Sequence, residues 1–145
     1  MTVRALATAD LPRLVELERV LFGASAWTLG MLTEELDAPG RAYAGVDADG
    51  VLVGYAGLWF DGDVAQVMTI GVDPVAQRRG IGTALLVWVV QTARDLGASS
   101  VLLEVRVDND PAITLYERHG FEVLGRRRRY YQPEDVDAFT MRLAL

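Results

Sequence analysis

The chain has 145 residues, 51% of them apolar, and a formal net charge of −6. That length suits one domain with its own core, residues 1–145, and no apolar run is long enough to span a bilayer. The absence of cysteine excludes disulfides, thiolate nucleophiles and cysteine-held zinc, and a single histidine, His119, excludes a histidine-rich metal site.

After a short opening strand, Leu11 to Phe22 reads as an amphipathic helix. Leu14, Leu17, Val20 and Leu21 fall near one face, and Asp10 stands where a cap belongs. A second short helix covers Thr28 to Leu36 and stops before Pro39. The period then changes to that of strands over Arg41–Val46, Val51–Phe60 and Val64–Val72. Asp49-Gly50 and Asp61-Gly62 separate these runs, which predicts an antiparallel meander. A helix follows over about Gly82 to Leu96, with Leu85, Val89 and Leu96 on the buried side and Gly97 closing it. Ser100–Val107 reads as a buried strand. Pro111–His119 reads as a short helix, with Asp110 as its cap and Gly120 at its end. Phe121–Tyr130 and Ala138–Leu143 are the last strands. The expected fold is α+β: one mixed, mostly antiparallel sheet of about seven strands flanked by about four helices.

Met1 to Ala5 shows no basic region followed by an apolar stretch, so no secretory signal is visible and a cytoplasmic location is expected. The acidic balance argues against nucleic acid as a partner, since phosphate binding needs clustered Lys and Arg. It is compatible with a positively charged substrate, but plain solubility is the simpler and preferred reading. No membrane partner is expected, and the chain is expected to be a monomer or weak dimer.

The segment richest in chemical content is Gln77-Arg78-Arg79-Gly80-Ile81-Gly82-Thr83, between a strand and a helix. Glycines allow a tight turn there and leave several N–H groups unpaired at a helix N-terminus. Such a nest binds phosphate, because aligned peptide dipoles and free donors both favour an anion. Arg78 and Arg79 add charge. A Gly-x-Gly alone is also an ordinary turn, but the strand-to-helix context after Met68–Pro74 favours phosphate.

Gln77 to Gly82 resembles the pyrophosphate loop of the GNAT superfamily of N-acetyltransferases, Q/R-x-x-G-x-G/A. The stretch Asn109 to Phe121 resembles that family's second signature. Within it, the chain is most similar to the RimI-type ribosomal-protein alanine N-acetyltransferases. Leu103-Glu104-Val105-Arg106, Arg128-Arg129-Tyr130-Tyr131 and Phe22 followed by Trp27-Thr28 carry that likeness, over nearly the whole chain. The resemblance implies acetyl-CoA as cosubstrate, no metal, and a protein or peptide N-terminus as acceptor, a ribosomal protein among them. It implies that Ile70, Gly71 and Val72 bind the pantetheine through their backbone. Arg78, Arg79, Gly80, Ile81, Gly82 and Thr83 would cradle the pyrophosphate, and Asn109 would touch the cofactor arm. Glu104 would be the general base and Tyr116 the general acid. Trp27, Tyr130 and Tyr131 would meet the acceptor. Two departures are Thr114, where many relatives have alanine, and the longer loop Gly23-Ala24-Ser25-Ala26 before Trp27, which alters the acceptor pocket.

Elementary chemistry permits these roles and leaves bland readings beside them. A peptide α-amine is partly neutral at pH 7, so one positioned base is useful. Glu104 lies within Val101-Leu102-Leu103-Glu104-Val105, either in an apolar setting that raises its carboxyl pKa or on the solvated face of an edge strand. Tyr116 is either a donor to a departing thiolate or a core tyrosine. Trp27 is either a core anchor or a pocket wall. Arg126 to Arg129 form the one dense basic cluster, solvated or paired with acidic neighbours, with a CoA 3′-phosphate contact as the alternative. His119 reads as structural. The competing functions are acetylation of a small amine and a non-catalytic acetyl-CoA-binding module, the latter disfavoured by the presence of both Glu104 and Tyr116.

Overall fold

The computed structural model describes residues 1–145, and the switch of hydrophobic period along the chain becomes a switch of element. In chain order these are β1 (Val3–Ala5), α1 (Leu11–Phe22), α2 (Leu29–Asp37), β2 (Arg41–Ala48), β3 (Val51–Phe60) and β4 (Val64–Val72). Then come α3 (Ile81–Leu96), β5 (Ser100–Arg106), α4 (Asp110–Arg118), β6 (Glu122–Tyr131) and β7 (Val136–Ala144). The seven strands form one sheet in the order β1-β2-β3-β4-β5-β7-β6. Every neighbouring pair is antiparallel except β4 and β5.

The first expected turn forms as a two-residue hairpin. Asp49 and Gly50 both have positive φ, 52° and 78°, and Ala48 pairs with Val51. The second is wider. Asp61 accepts from the N–H groups of Asp63 and Val64 at 2.9 and 2.8 Å, and pairing resumes at Phe60 opposite Ala65.

The sheet is covered on both faces. Ile81, Leu85, Leu86, Val89 and Ala93 of α3 join an 18-residue core with Leu58, Val101 and Leu103. A smaller core joins Leu11, Leu14 and Leu17 of α1 and Leu32 of α2 to Leu52 and Tyr55. Complete burial of a Leu or Val side chain contributes about 1.5–3 kcal/mol, so these two clusters fix the helices on the sheet. No helix is long and apolar enough to cross a membrane.

Four local expectations are corrected. Val20 is 65% exposed, and Glu18 takes the buried place on α1 instead. Leu96 is 45% exposed, because the buried stripe of α3 ends at Ala93. Asp10 makes no side-chain cap to α1; its carboxylate is held by Arg4, at 2.8 and 3.0 Å, and by the Ala7 N–H at 2.8 Å. The cap of α4 is Asn109, whose oxygen accepts from the Ala112 N–H at 3.3 Å, so Asp110 is the first helical residue.

Candidate active site

The one parallel pairing in the sheet creates the site. β4 and β5 are in register only over Val64–Gln66 and Ser100–Leu102, and beyond these residues they part. A parallel crossover through α3 brings the two strands side by side, but β4 also pairs along its length with β3 and β5 with β7. Each is drawn toward its own partner. Met68 forms a bulge on β4, since Leu58 faces Val67 and Gly57 faces Thr69. The outer half of β4, including Ile70, Gly71 and Val72, therefore has no strand on its β5 side.

A cleft of about 680 Å³ opens where the strands part. Ile70 from β4, Glu104 from β5, Asn109 and Tyr116 around α4, Trp27 after α1, and Tyr130 and Tyr131 from β6 all border it. A β-carbon on Gly71 would lie 2.5 Å from Leu21 Cδ1 and 3.1 Å from the Tyr55 hydroxyl, so Leu21 would have to move to admit one.

The glycine loop enters α3 through two left-handed residues, Arg78 at φ 65° and Gly80 at φ 80°. Gly80 is the N-cap and offers no side chain to the helix. The first backbone bond inside the turn runs from the Ala84 N–H to the Gly80 carbonyl at 3.0 Å. The N–H groups of Ile81, Gly82 and Thr83 thus have no intrahelical acceptor. Arg78 and Arg79 are exposed beside them. A β-carbon on Gly82 would meet nothing nearer than Leu115 Cδ2 at 3.6 Å. The loop is fixed from behind: Gln77 donates to the Val72 carbonyl at 3.2 Å, and Arg13 of α1 donates to Asp73 at 2.7 Å and to the Leu52 carbonyl at 2.9 Å. Such an array of free donors at a helix start suits a phosphate group.

Glu104 is not on an edge strand, because β5 lies between β4 and β7. Its neighbours Leu103 and Val105 are buried in the core on the opposite face, as strand alternation requires. What Glu104 meets is polar. Thr140, directly across on β7, donates its hydroxyl to one carboxylate oxygen at 2.5 Å, and the Arg127 guanidinium stands 3.6 Å from the other. The Glu104 side chain is 14% exposed. A carboxylate held so can accept a proton from a group entering the cleft.

Tyr116 is buried beside Phe121, with ring centroids 5.9 Å apart. Burial pushes its phenol well above the ordinary value of 10, so it keeps its proton at neutral pH. Tyr131 is pushed up to about 12, chiefly by burial and secondarily by the neighbouring Tyr130 and Glu104. Tyr130 and Tyr131 meet edge to face at 5.0 Å, with Arg127 over the first ring and Arg106 over the second. Asn109 spends its oxygen on the α4 cap. Trp27 is both things at once: it packs on the smaller core and borders the cleft. His119, just past α4, hydrogen-bonds the Leu115 carbonyl at 2.9 Å and closes the helix. In the basic cluster, Arg126 pairs with Asp137 at 2.7 Å and Arg129 with Asp135 at 3.3 Å, while Arg127 reaches Glu104.

Glu18, which borders the cleft, and Thr140 and Arg13, which hold Glu104 and Asp73, are residues that sequence reasoning missed. Glu18 alone had a signal, a charge on the buried face of a helix. Thr140 and Arg13 act through strand register and long-range contact, for which the sequence has no local pattern.

The model of the Acetyltransferase (GNAT) family matches residues 11–121. The chain is 45% identical to N-alpha-acetyltransferase RimI of Mycobacterium tuberculosis, over 98% of this chain and 91% of that protein. Among solved structures it is similar to the ribosomal-protein-S18-alanine N-acetyltransferase from Escherichia coli. That match has a TM-score of 0.89 and 31% identity, and covers 99% of this chain and 92% of the other. It is also similar to yncA of Salmonella typhimurium, solved with its cofactor acetyl-CoA, with a TM-score of 0.81 and 25% identity, covering 100% and 94% of the two chains.

Proposed function

The chain belongs to the GNAT acetyltransferase family, and we propose that it transfers the acetyl group of acetyl-CoA to the N-terminal α-amine of a protein. A ribosomal protein with N-terminal alanine is the leading acceptor. The observation that carries this reading is the parting of β4 from β5, which opens a cleft bordered by a held carboxylate, a protonated phenol and two tyrosines. The names of the relatives point the same way: the Escherichia coli neighbour acts on ribosomal protein S18 alanine.

Acetyl-CoA fits the residues present. Its pyrophosphate suits the free N–H groups of Ile81, Gly82 and Thr83 with Arg78 and Arg79 beside them. Its linear arm suits the open edge of β4 at Ile70–Val72, with the Asn109 amide nearby. When bound it supplies an acetyl group activated as a thioester. Glu104, fixed by the Thr140 hydroxyl, removes the proton from the incoming α-amine. Tyr116, kept protonated by burial, gives its proton to the sulfur that departs. Trp27, Tyr130 and Tyr131 form the walls against which the acceptor chain lies. An α-amine, with a pKa near 8, is neutral about a tenth of the time at pH 7, whereas a lysine near 10.4 is neutral well under a thousandth. A single carboxylate base therefore suits the α-amine.

The test is release of free CoA thiol from acetyl-CoA with a peptide bearing N-terminal alanine. Release that depends on the peptide is expected. No release above the peptide-free rate, with CoA still bound, would overturn the reading in favour of a binding module.

A further inference from the structure

Glu18 is a charge without a part in the chemistry so far. It is completely buried, on α1, with Leu14 and Leu17 nearby in the smaller core. Burying a carboxylate is costly, and an apolar side chain of similar volume often stabilises as well or better. Its hydrogen bonds say what it holds. One oxygen accepts from the backbone N–H of Trp27 at 2.9 Å. The other accepts from the hydroxyls of Tyr55, at 2.5 Å, and Thr69, at 2.9 Å. Glu18, Trp27 and Thr69 all border the cleft. Thr69 adjoins the β4 bulge at Met68. Between Glu18's helix and Trp27 runs the turn Gly23–Ser25, and from it the Ser25 hydroxyl donates across the cleft to the Gln132 carbonyl at 3.2 Å.

We propose that Glu18 is a positioning residue for the acceptor. It pins the turn that carries Ser25 and Trp27 to the bulged part of β4, and thereby sets the wall against which the acceptor's first residues lie. It touches neither reacting atom. Its effect passes through the Trp27 N–H, which without it would be a donor with no partner on a helix-to-helix turn. This proposal rests on the acetyltransferase reading above. It predicts a split: acceptor binding depends on Glu18, and cofactor binding, built on the far part of β4 and the start of α3, does not.

Glutamine at position 18 can accept from the Trp27 N–H and donate to a hydroxyl, since both hydroxyls can turn to accept. Methionine can do neither. The experiment measures acceptor KM and kcat with an N-terminally free peptide, and CoA affinity by calorimetry, for wild type, Glu18→Gln, Glu18→Met and Ser25→Ala. Glu18→Met is expected to raise acceptor KM on the order of tenfold, about 1.4 kcal/mol, because the Trp27 N–H loses its acceptor and the wall that carries it moves, with CoA affinity unchanged. Glu18→Gln should stay near wild type, and Ser25→Ala, which loosens the same turn from the surface, should raise acceptor KM. A wild-type acceptor KM in a folded Glu18→Met overturns the proposal, as does equal damage in Glu18→Gln, which would make charge the cause. If Glu18→Met does not fold, an unchanged acceptor KM in Ser25→Ala overturns it. Wild type that fails to acetylate the free α-amine would instead overturn the underlying reading, whatever the variants do.

Discussion

Glu104 owes its place to strand alternation, and its hydrogen-bond partner to register. Thr140 is opposite it on β7 and donates to it at 2.5 Å, while Arg127 approaches from β6. Replacing Glu104 by Gln keeps the shape and the Thr140 contact but removes the base. Turnover at pH 7 should fall about a hundredfold, CoA affinity by calorimetry should stay the same, and the deficit should shrink as pH rises and the amine deprotonates by itself. Tyr116 gives a second pH prediction. Burial raises its pKa, so the proton needed for the leaving sulfur is retained above the ordinary value of 10. The alkaline side of the wild-type kcat profile should therefore be flat to about pH 10, and a decline centred near pH 8 or 9 would remove Tyr116 from that role. Both residues stood out in the sequence by the motifs around them. Their environments did not, because Leu103 and Val105, adjacent in sequence, face the other side of the sheet.

At the scale of elements, α1 shows how a periodic reading goes wrong by one residue. At about 100° per residue, Val20 lies about 120° from Leu14 around the helix, whereas Glu18 lies only about 40° away. Geometry places Glu18 inside; apolar character alone suggested Val20. The start of α3 was readable because its glycines have a mechanical purpose: Gly80 needs φ 80°, and Gly82 leaves its face open. Gly82→Val should fold, with a melting temperature within a few degrees of wild type, yet bind CoA on the order of tenfold more weakly, because its branches stand over the free N–H groups. Equal CoA affinity in the folded variant would contradict the phosphate cradle. The β1–α1 corner was not readable, since Arg4 finds both Asp10 and Asp47 only after folding. The Arg4 guanidinium holds the Asp10 carboxyl below its usual 3.8. A depressed pKa contributes stability above the unfolded value, and that contribution is lost as pH falls through the folded one. Asp10→Asn should thus cost about 1 kcal/mol at pH 7 and much less near pH 2, by urea titration at both.

For the molecule as a whole, the order of elements and the mixed sheet were legible because the period changes from helix to strand and back at clear turn signals. The cleft itself was not. It depends on β4 and β5 pairing over only three residues and then following separate partners, a competition among distant strands. Trp27, Glu104, Asn109, Tyr116 and the two tyrosines lie far apart along the chain, and the parting of those strands gathers them around one opening. The central claim is that this opening receives the free end of a polypeptide. One peptide with a free N-terminal alanine and an internal lysine, incubated with acetyl-CoA and mapped by tandem mass spectrometry, tests it most directly. Acetyl on the α-amine, with the lysine bare at equal times, is the predicted result; acetyl on the lysine first would contradict it.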